Sequence, residues 1–324
     1  YIEEGKYAEA IAAKGKYEQK GLKIKDLPEY LTEPKKFVNE KYKEGSLEEI
    51  IAVKDILPEE WQSKLEYEGL DSLEYLALKK IYKQTGYDTF DEFLSKEIEV
   101  SDGYVVSFGN NHTKTKYKFS ELTDISMIKY LKRLEKLKIT NSKISDVSGL
   151  EHLDNLMYLN LNHNRLKDIH KLKKLHKLKW LHLDNNLISD VSRLGELKNL
   201  KHLHLKNNRI SNVYGLEKLQ NLRQLYLSHN LQKSIFELNE SLEFEEEEEE
   251  LFTNPQPEKN TFTRLDELII LDLRQNPIVD VSGLGGLEKL DYIITNDSQT
   301  CEISNVKKLR LIFDKKSKSL GPLD

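Results

Sequence analysis

The sequence predicts an α/β solenoid, a curved array of short parallel strands and tight turns, preceded by a small all-α domain. Two observations carry the array and a third carries the helices. Asn164, Asn186, Asn208 and Asn230 stand 22 residues apart, and each closes the same phrase. Reading back from them, Leu156, Leu159 and Leu161 recur as Leu178, Leu181 and Leu183, as Leu200, Leu203 and Leu205, and as Leu222, Leu225 and Leu227. Such self-similarity marks units that bury their apolar side chains only against their neighbours. Residues 1–99 lack this period and carry helix signals instead.

In that first stretch Ser46-Leu47-Glu48-Glu49 and Asp71-Ser72-Leu73-Glu74 have the spacing of capping boxes, and Pro58 suits a helix's first turn. Leu73, Leu76, Lys80 and Ile81 outline an amphipathic helix ending near Gly86, and Phe90, Phe93 and Leu94 outline a shorter one. Tyr7, Ala8 and Ile11 supply an apolar stripe near the start. The expectation is a domain of five or six helices over 1–99, joined to the array around Ser101-Asp102-Gly103.

The array is expected over residues 100–314. Tyr104-Val105-Val106-Ser107-Phe108 reads as a first strand that seals the core's end. Tyr117, Ser120 and Leu122 fit the phrase loosely, and Leu134, Leu137 and Ile139 lead to Ser142 in place of asparagine. Beyond Asn230 the rhythm returns at Leu268, Leu271, Leu273 and Asn276, then more faintly at Leu290, Ile293 and Ser298. Leu309, Leu311 and Phe313 fit a closing cap, with 315–324 as a tail. Between Asn230 and Asn276 lie 46 residues, two periods plus two, so either one repeat is degenerate or one carries an insert. Glu245 to Glu250 repel one another, and Pro255 and Pro257 block regular structure, which favours a disordered insert at about 232–262.

Ile144-Ser145-Asp146-Val147-Ser148-Gly149-Leu150 recurs as Ile188-Ser189-Asp190-Val191-Ser192-Arg193-Leu194, and Pro277 to Leu284 closely repeats it. Too few residues follow each strand for a long helix, so short 3₁₀ turns are expected on the convex side. Phrase and connection together resemble the leucine-rich repeat, in the internalin type also seen in the leucine-rich regulatory subunit of protein phosphatase 1. The resemblance covers about residues 104 to 313. It implies a horseshoe with a parallel concave sheet, inward-turned structural asparagines, and a role in holding a partner rather than in chemistry. The implied partner is an enzyme being regulated or a surface receptor.

Composition narrows the setting. Charged residues make up 32% of the chain and no run has the apolar length of a membrane span, so a soluble protein is expected. Cys301 is the only cysteine, which excludes a disulfide framework and a cysteine-based zinc site, and leans toward a cytoplasmic protein. The first residue is Tyr1, so a trimmed start is expected and a lost signal peptide stays open. Asn111-His112-Thr113, Asn239-Glu240-Ser241 and Asn296-Asp297-Ser298 fit the glycosylation triplet, a pattern common by chance.

Strand alternation turns the residues between the leucines onto the concave face. One column there reads Lys136, Tyr158, Trp180, His202, Gln224, Ile270, Tyr292, and the next reads Lys138, Asn160, His182, His204, Tyr226, Asp272, Ile294. A third reads Thr140, Asn162, Asp184, Lys206, Ser228, Arg274, Asn296. Tyr158, Trp180, His202 and Tyr226 thus form an aromatic patch that anchors a partner or, more plainly, stabilises the sheet by cross-strand contact. His182, His202, His204 and Asp184 have the chemistry of metal ligands, but hydrogen bonding to a partner is the simpler use, so no metal and no cofactor is expected. These histidines also suggest affinity that changes between about pH 5 and 7.

Lysines and arginines outnumber acids from Lys129 to Arg209, most densely at Lys171, Lys173, Lys174, Lys177 and Lys179. This basic flank (129–210) keeps a solenoid soluble, is screened by the acidic insert, or contacts phosphates of nucleic acid. No phosphate loop, zinc-protease histidine pair or nucleophile elbow is present, and Cys301 has no evident base. The reading is a noncatalytic scaffold gripping a protein partner with Tyr158, Trp180, His182, His202, His204 and Tyr226, with Asp184, Lys206, Asp272 and Arg274 setting specificity. Its rival is a nucleic-acid or phosphate-bearing partner on the basic flank.

Overall fold

The computed structural model describes residues 70–109, 118–230, 264–276, 284 and 287–295, with the backbone of 310–313. The helices expected before Leu70, the acidic insert at 232–262 and the tail at 315–324 lie outside the described residues.

Ten strands form one sheet in chain order. β1 (Ile98–Ser101) and β2 (Tyr104–Phe108) make an antiparallel hairpin. Every later neighbour is parallel: β3 (Lys136–Lys138), β4 (Tyr158–Asn160), β5 (Trp180–His182), β6 (His202–His204), β7 (Gln224–Tyr226), β8 (Ile270–Asp272), β9 (Tyr292–Thr295) and β10 (Arg310–Phe313). On the opposite side run short 3₁₀ helices, Ser126–Tyr130, Leu150–His152, His170–Lys174, Ser192–Glu196 and Leu216–Lys218. The leucines of the phrase are wholly buried between these two layers. Each such side chain contributes roughly 1.5–3 kcal/mol by leaving water.

Two expectations at the N-terminal end are corrected. Ser101-Asp102-Gly103, expected as a join between domains, is the turn of the β1–β2 hairpin, where Asp102 and Gly103 both take positive φ (52° and 78°), as a two-residue turn of matching twist requires. The loose repeat at Ser120 and Leu122 is not a strand: 118–121 form a turn, and β2 pairs directly with β3, Ser107 opposite Lys136. β2 therefore occupies the place of that repeat's strand, and β1 lies outside it. Tyr117 lies outside the described residues.

Among the described residues two helices pack at this end, α1 (Ser72–Tyr82) and α2 (Phe90–Glu97). Asp71 caps α1 by accepting from the N–H groups of Leu73 (2.9 Å) and Glu74 (3.2 Å). Glu74 does not complete the capping box. It turns inward, 2% exposed, and its Oε2 accepts from Val105 N–H of β2 at 2.6 Å. Phe93 and Phe108 are fully buried edge to face at 5.8 Å, so helices and array share one core from Tyr75 to Ile293.

The asparagines are structural. Asn164 Nδ2 donates to the carbonyls of Ile139 (2.9 Å) and Leu161 (3.0 Å), and its Oδ1 accepts from Ile144 N–H (3.2 Å). Asn186, Asn208 and Asn230 repeat this stitch one turn later each. Three buried backbone groups per turn are thereby satisfied by one side chain. Asn276 donates to Leu227 at 2.9 Å and to Leu273 at 3.1 Å, so the turns on either side of residues 231–263 stack directly. β7 is likewise paired directly to β8, Gln224 opposite Ile270.

Candidate partner-binding face

The register confirms the columns: Tyr158, Trp180, His202, Gln224 and Ile270 are successive neighbours, as are Asn160, His182, His204, Tyr226 and Asp272. Parallel strands about 4.8 Å apart bring these side chains into contact. They divide into two lanes. Trp180 stacks on His202 with ring centroids 5.9 Å apart and planes 10° apart. Beside them Tyr158, His182, His204 and Tyr226 form a chain with centroid separations of 5.4, 4.2 and 4.3 Å. Tyr158, His202 and Tyr226 are half-buried in these stacks, and Trp180 stands out at 36% exposure.

Burial and then the neighbouring His204 push the His182 imidazole down to about 4. Burial also lowers His202, partly opposed by its hydrogen bond with Gln224. His182 is therefore neutral across the window between pH 5 and 7 in which the sequence alone would have it switch.

The expected specificity residues are tied more closely to the protein itself. Asp184 Oδ1 accepts from Lys206 N–H at 2.7 Å, and Asn162 Oδ1 accepts in the same way from Asp184 N–H at 2.7 Å. Two third-column side chains, Asn162 and Asp184, thus staple the ends of β4, β5 and β6 in series. The other Asp184 oxygen lies 3.7 Å from His204 Nδ1. Asp272 is 1% exposed and takes two hydrogen bonds from Arg274, at 3.0 and 2.8 Å, so that pair neutralises itself where the face turns apolar at Ile270 and Ile294. Lys206 remains exposed. Among the described residues no group of three histidine, cysteine or carboxylate side chains has the arrangement to hold a metal ion.

Sequence reasoning missed two columns. The residues preceding Ser142 and the phrase-closing asparagines, Asn141, His163, Asn185, Asn207, His229 and Gln275, all have φ between 53° and 58°. Asparagine and histidine are enriched where L-residues take that left-handed conformation, so the recurrence was a readable signal. The second column lies at the rim, just before the strands: Glu135, Met157, Lys179, Lys201, Arg223, Ile269, Asp291. Its backbones hydrogen-bond in series, Lys201 N–H to Lys179 O at 2.9 Å and Arg223 N–H to Lys201 O at 2.8 Å. The charges of Lys201 and Arg223 act on His202 and help to lower it.

The convex basic flank is partly committed internally. Lys171 donates to Ser148 Oγ at 2.5 Å and lies 3.8 Å from Glu151, while Lys177 donates to Asn155 Oδ1 at 2.8 Å. A depression of about 300 Å³ between Lys167 and Leu194 holds Asp168 and Asp190, whose carboxylates already accept from the backbones of His170 and Ser192.

Residues 132–188 match the family model described as Leucine rich repeat, and residues 198–240 match the one described as Leucine Rich repeats (2 copies). The array is a leucine-rich repeat solenoid. No curated protein matches the chain. Among solved structures, internalin C2 of Listeria monocytogenes is 22% identical with a TM-score of 0.52, the match covering 73% of this chain and 96% of that one. A leucine-rich repeat protein of Leptospira interrogans is 21% identical with a TM-score of 0.50, covering 70% of this chain and 57% of that one. The internalin InlF of L. monocytogenes is 21% identical with a TM-score of 0.49; the match covers 67% of this chain and spans 62% of that structure's length. The leucine-rich repeat fold here is internalin-like. Solenoids of this kind generally present their concave surface to protein partners. Among the described residues no helix is long and apolar enough to cross a membrane.

Proposed function

We propose that this leucine-rich repeat protein is a noncatalytic scaffold or regulatory subunit that grips a protein partner on the concave face of β4 to β7. The observation that carries the reading is Trp180, 36% exposed in the middle of the sheet and stacked on His202 beside a second lane of rings. Stiff aromatic area with polar tips dominates protein-binding hot spots. Cross-strand contact accounts for Tyr226 against His204 and for one face of Trp180 against His202, while the rest of the Trp180 ring stays open to a partner. A cytoplasmic setting belongs to the same proposal and rests on the single cysteine and the lysine-rich surface.

The test is capture from native extract, with and without nuclease, on the protein and on a variant with Tyr158→Ser, Trp180→Ser and Tyr226→Ser. A protein retained by the first and lost by the second supports the concave face as the site. Retention that ignores the three rings, or that nuclease abolishes, removes it.

A further inference from the structure

The rim column gives the partner a chemistry. Lys179, Lys201 and Arg223 sit in register on three successive turns, which are also the turns of Trp180, His202 and Gln224. Among the described residues none of the three lies in an ion pair. Glu267 feels the charge of Arg223 but is hydrogen-bonded to Lys289. The column turns apolar on both sides, at Met157 and at Ile269, which is 36% exposed, and then acidic, at Glu135 and Asp291.

We infer that the concave face receives an acidic, extended segment of a partner protein, with carboxylates on Lys179, Lys201 and Arg223 and an adjoining apolar side chain on Trp180. This rests on the concave-face reading above. The outer two of the three cations lie about 10 Å apart, two strand spacings, which is the reach of about three residues of extended chain, so a short acidic run spans all three. A long polyanion such as nucleic acid, with a phosphate every few ångströms, would run on past the cations into Glu135 and Asp291. A short acidic run flanked by apolar residues fits between those ends, and its apolar flanks meet Met157 and Ile269.

The experiment is fluorescence anisotropy at about 50 mM salt, where exposed charges are weakly screened. The probe is a short fluorescein-labelled peptide with glutamates around a central leucine, compared with its glutamine counterpart and with labelled oligothymidylate. The glutamate peptide is expected to bind, with Kd raised at least about tenfold in a Lys179→Gln, Lys201→Gln, Arg223→Gln variant and restored toward the original by Lys179→Arg with Lys201→Arg. Thermal melts of both variants, altered only at surface side chains, establish that the fold is kept. Equal binding of the glutamine peptide, or an unchanged Kd in the glutamine variant, overturns the inference. Tighter binding of oligothymidylate with the same dependence on the three cations overturns it in favour of nucleic acid. The extract capture separates the two claims: a captured protein lost with the serine variant but kept by the glutamine variant refutes the acidic partner alone. Capture indifferent to the rings refutes the concave site itself.

Discussion

From Leu70 to Leu131 the core is closed largely by rings, whereas from Leu134 onward it is closed by leucines in register. In the first region Phe93 meets Tyr82, Tyr87, Phe90 and Phe108 at centroid distances of 5.7 to 5.8 Å. In the second, each leucine meets its own counterpart one turn away, and one asparagine per turn satisfies the backbone. The array is a sum of similar nearest-neighbour terms, in which losing one unit is felt by two others. The cap has no such period: the Phe93 ring joins both helices to the hairpin strand β2, and Glu74 ties α1 to the same strand.

Phe93→Ala is expected to have the largest effect, about 3–5 kcal/mol, because its four ring neighbours cannot all collapse into the space. Urea unfolding followed by circular dichroism should show one transition at a lower midpoint. A loss under about 1 kcal/mol would mean that the cap does not stabilise the array. Asn208→Ala should cost less, about 2–4 kcal/mol, by stranding the Leu183 and Leu205 carbonyls and Ile188 N–H. Equal losses from Asn186→Ala and Asn208→Ala would support turns of equal worth, and strongly unequal ones would break the comparison.

Glu74→Gln probes the cap through pH. Burial raises the Glu74 carboxyl from 4.5 to about 7. A folded-state value above the unfolded one means that its stabilisation is full below about pH 4.5 and is lost as pH rises through 7. Thermal melts should therefore show a fall in stability across that window that is absent in the glutamine variant. Parallel profiles for the two proteins would refute this role. The smallest effect belongs to the ring lane. His182, lowered from 6.5 to about 4, contributes stability present above 6.5 and lost as pH falls toward 4. Its imidazole resonances should titrate near 4 by NMR, and a midpoint near 6.5 would show the lane to be open to water.

What the sequence made legible was what repeats. The strands from β3 to β9, the inward asparagines and the order of both ring columns all follow from a 22-residue period and strand alternation. The cap was read only in part. Leu73, Leu76 and Ile81 marked α1, but nothing periodic announces that β1 folds back on β2 or that Glu74 leaves its capping box for Val105. The candidate face was legible in composition and not in pairing. Two-residue spacing placed Asp272 and Arg274 on one side of a strand, yet whether they reach outward or toward each other depends on the apolar neighbours that bury Asp272. Lys179 and Lys201 were legible only as part of the basic flank: with Arg223 they follow the first leucine of each phrase, a position that strict alternation places between core and face.

The bond from Asn276 to Leu227 has a consequence for how the chain can be divided. Among the described residues, the contacts across the β7–β8 seam join residues that end by Asn230 to residues that begin at Arg264. A cut in that stretch would leave two pieces with matched faces, and the proposed partner-binding strands, β4 to β7, would all stay on the first.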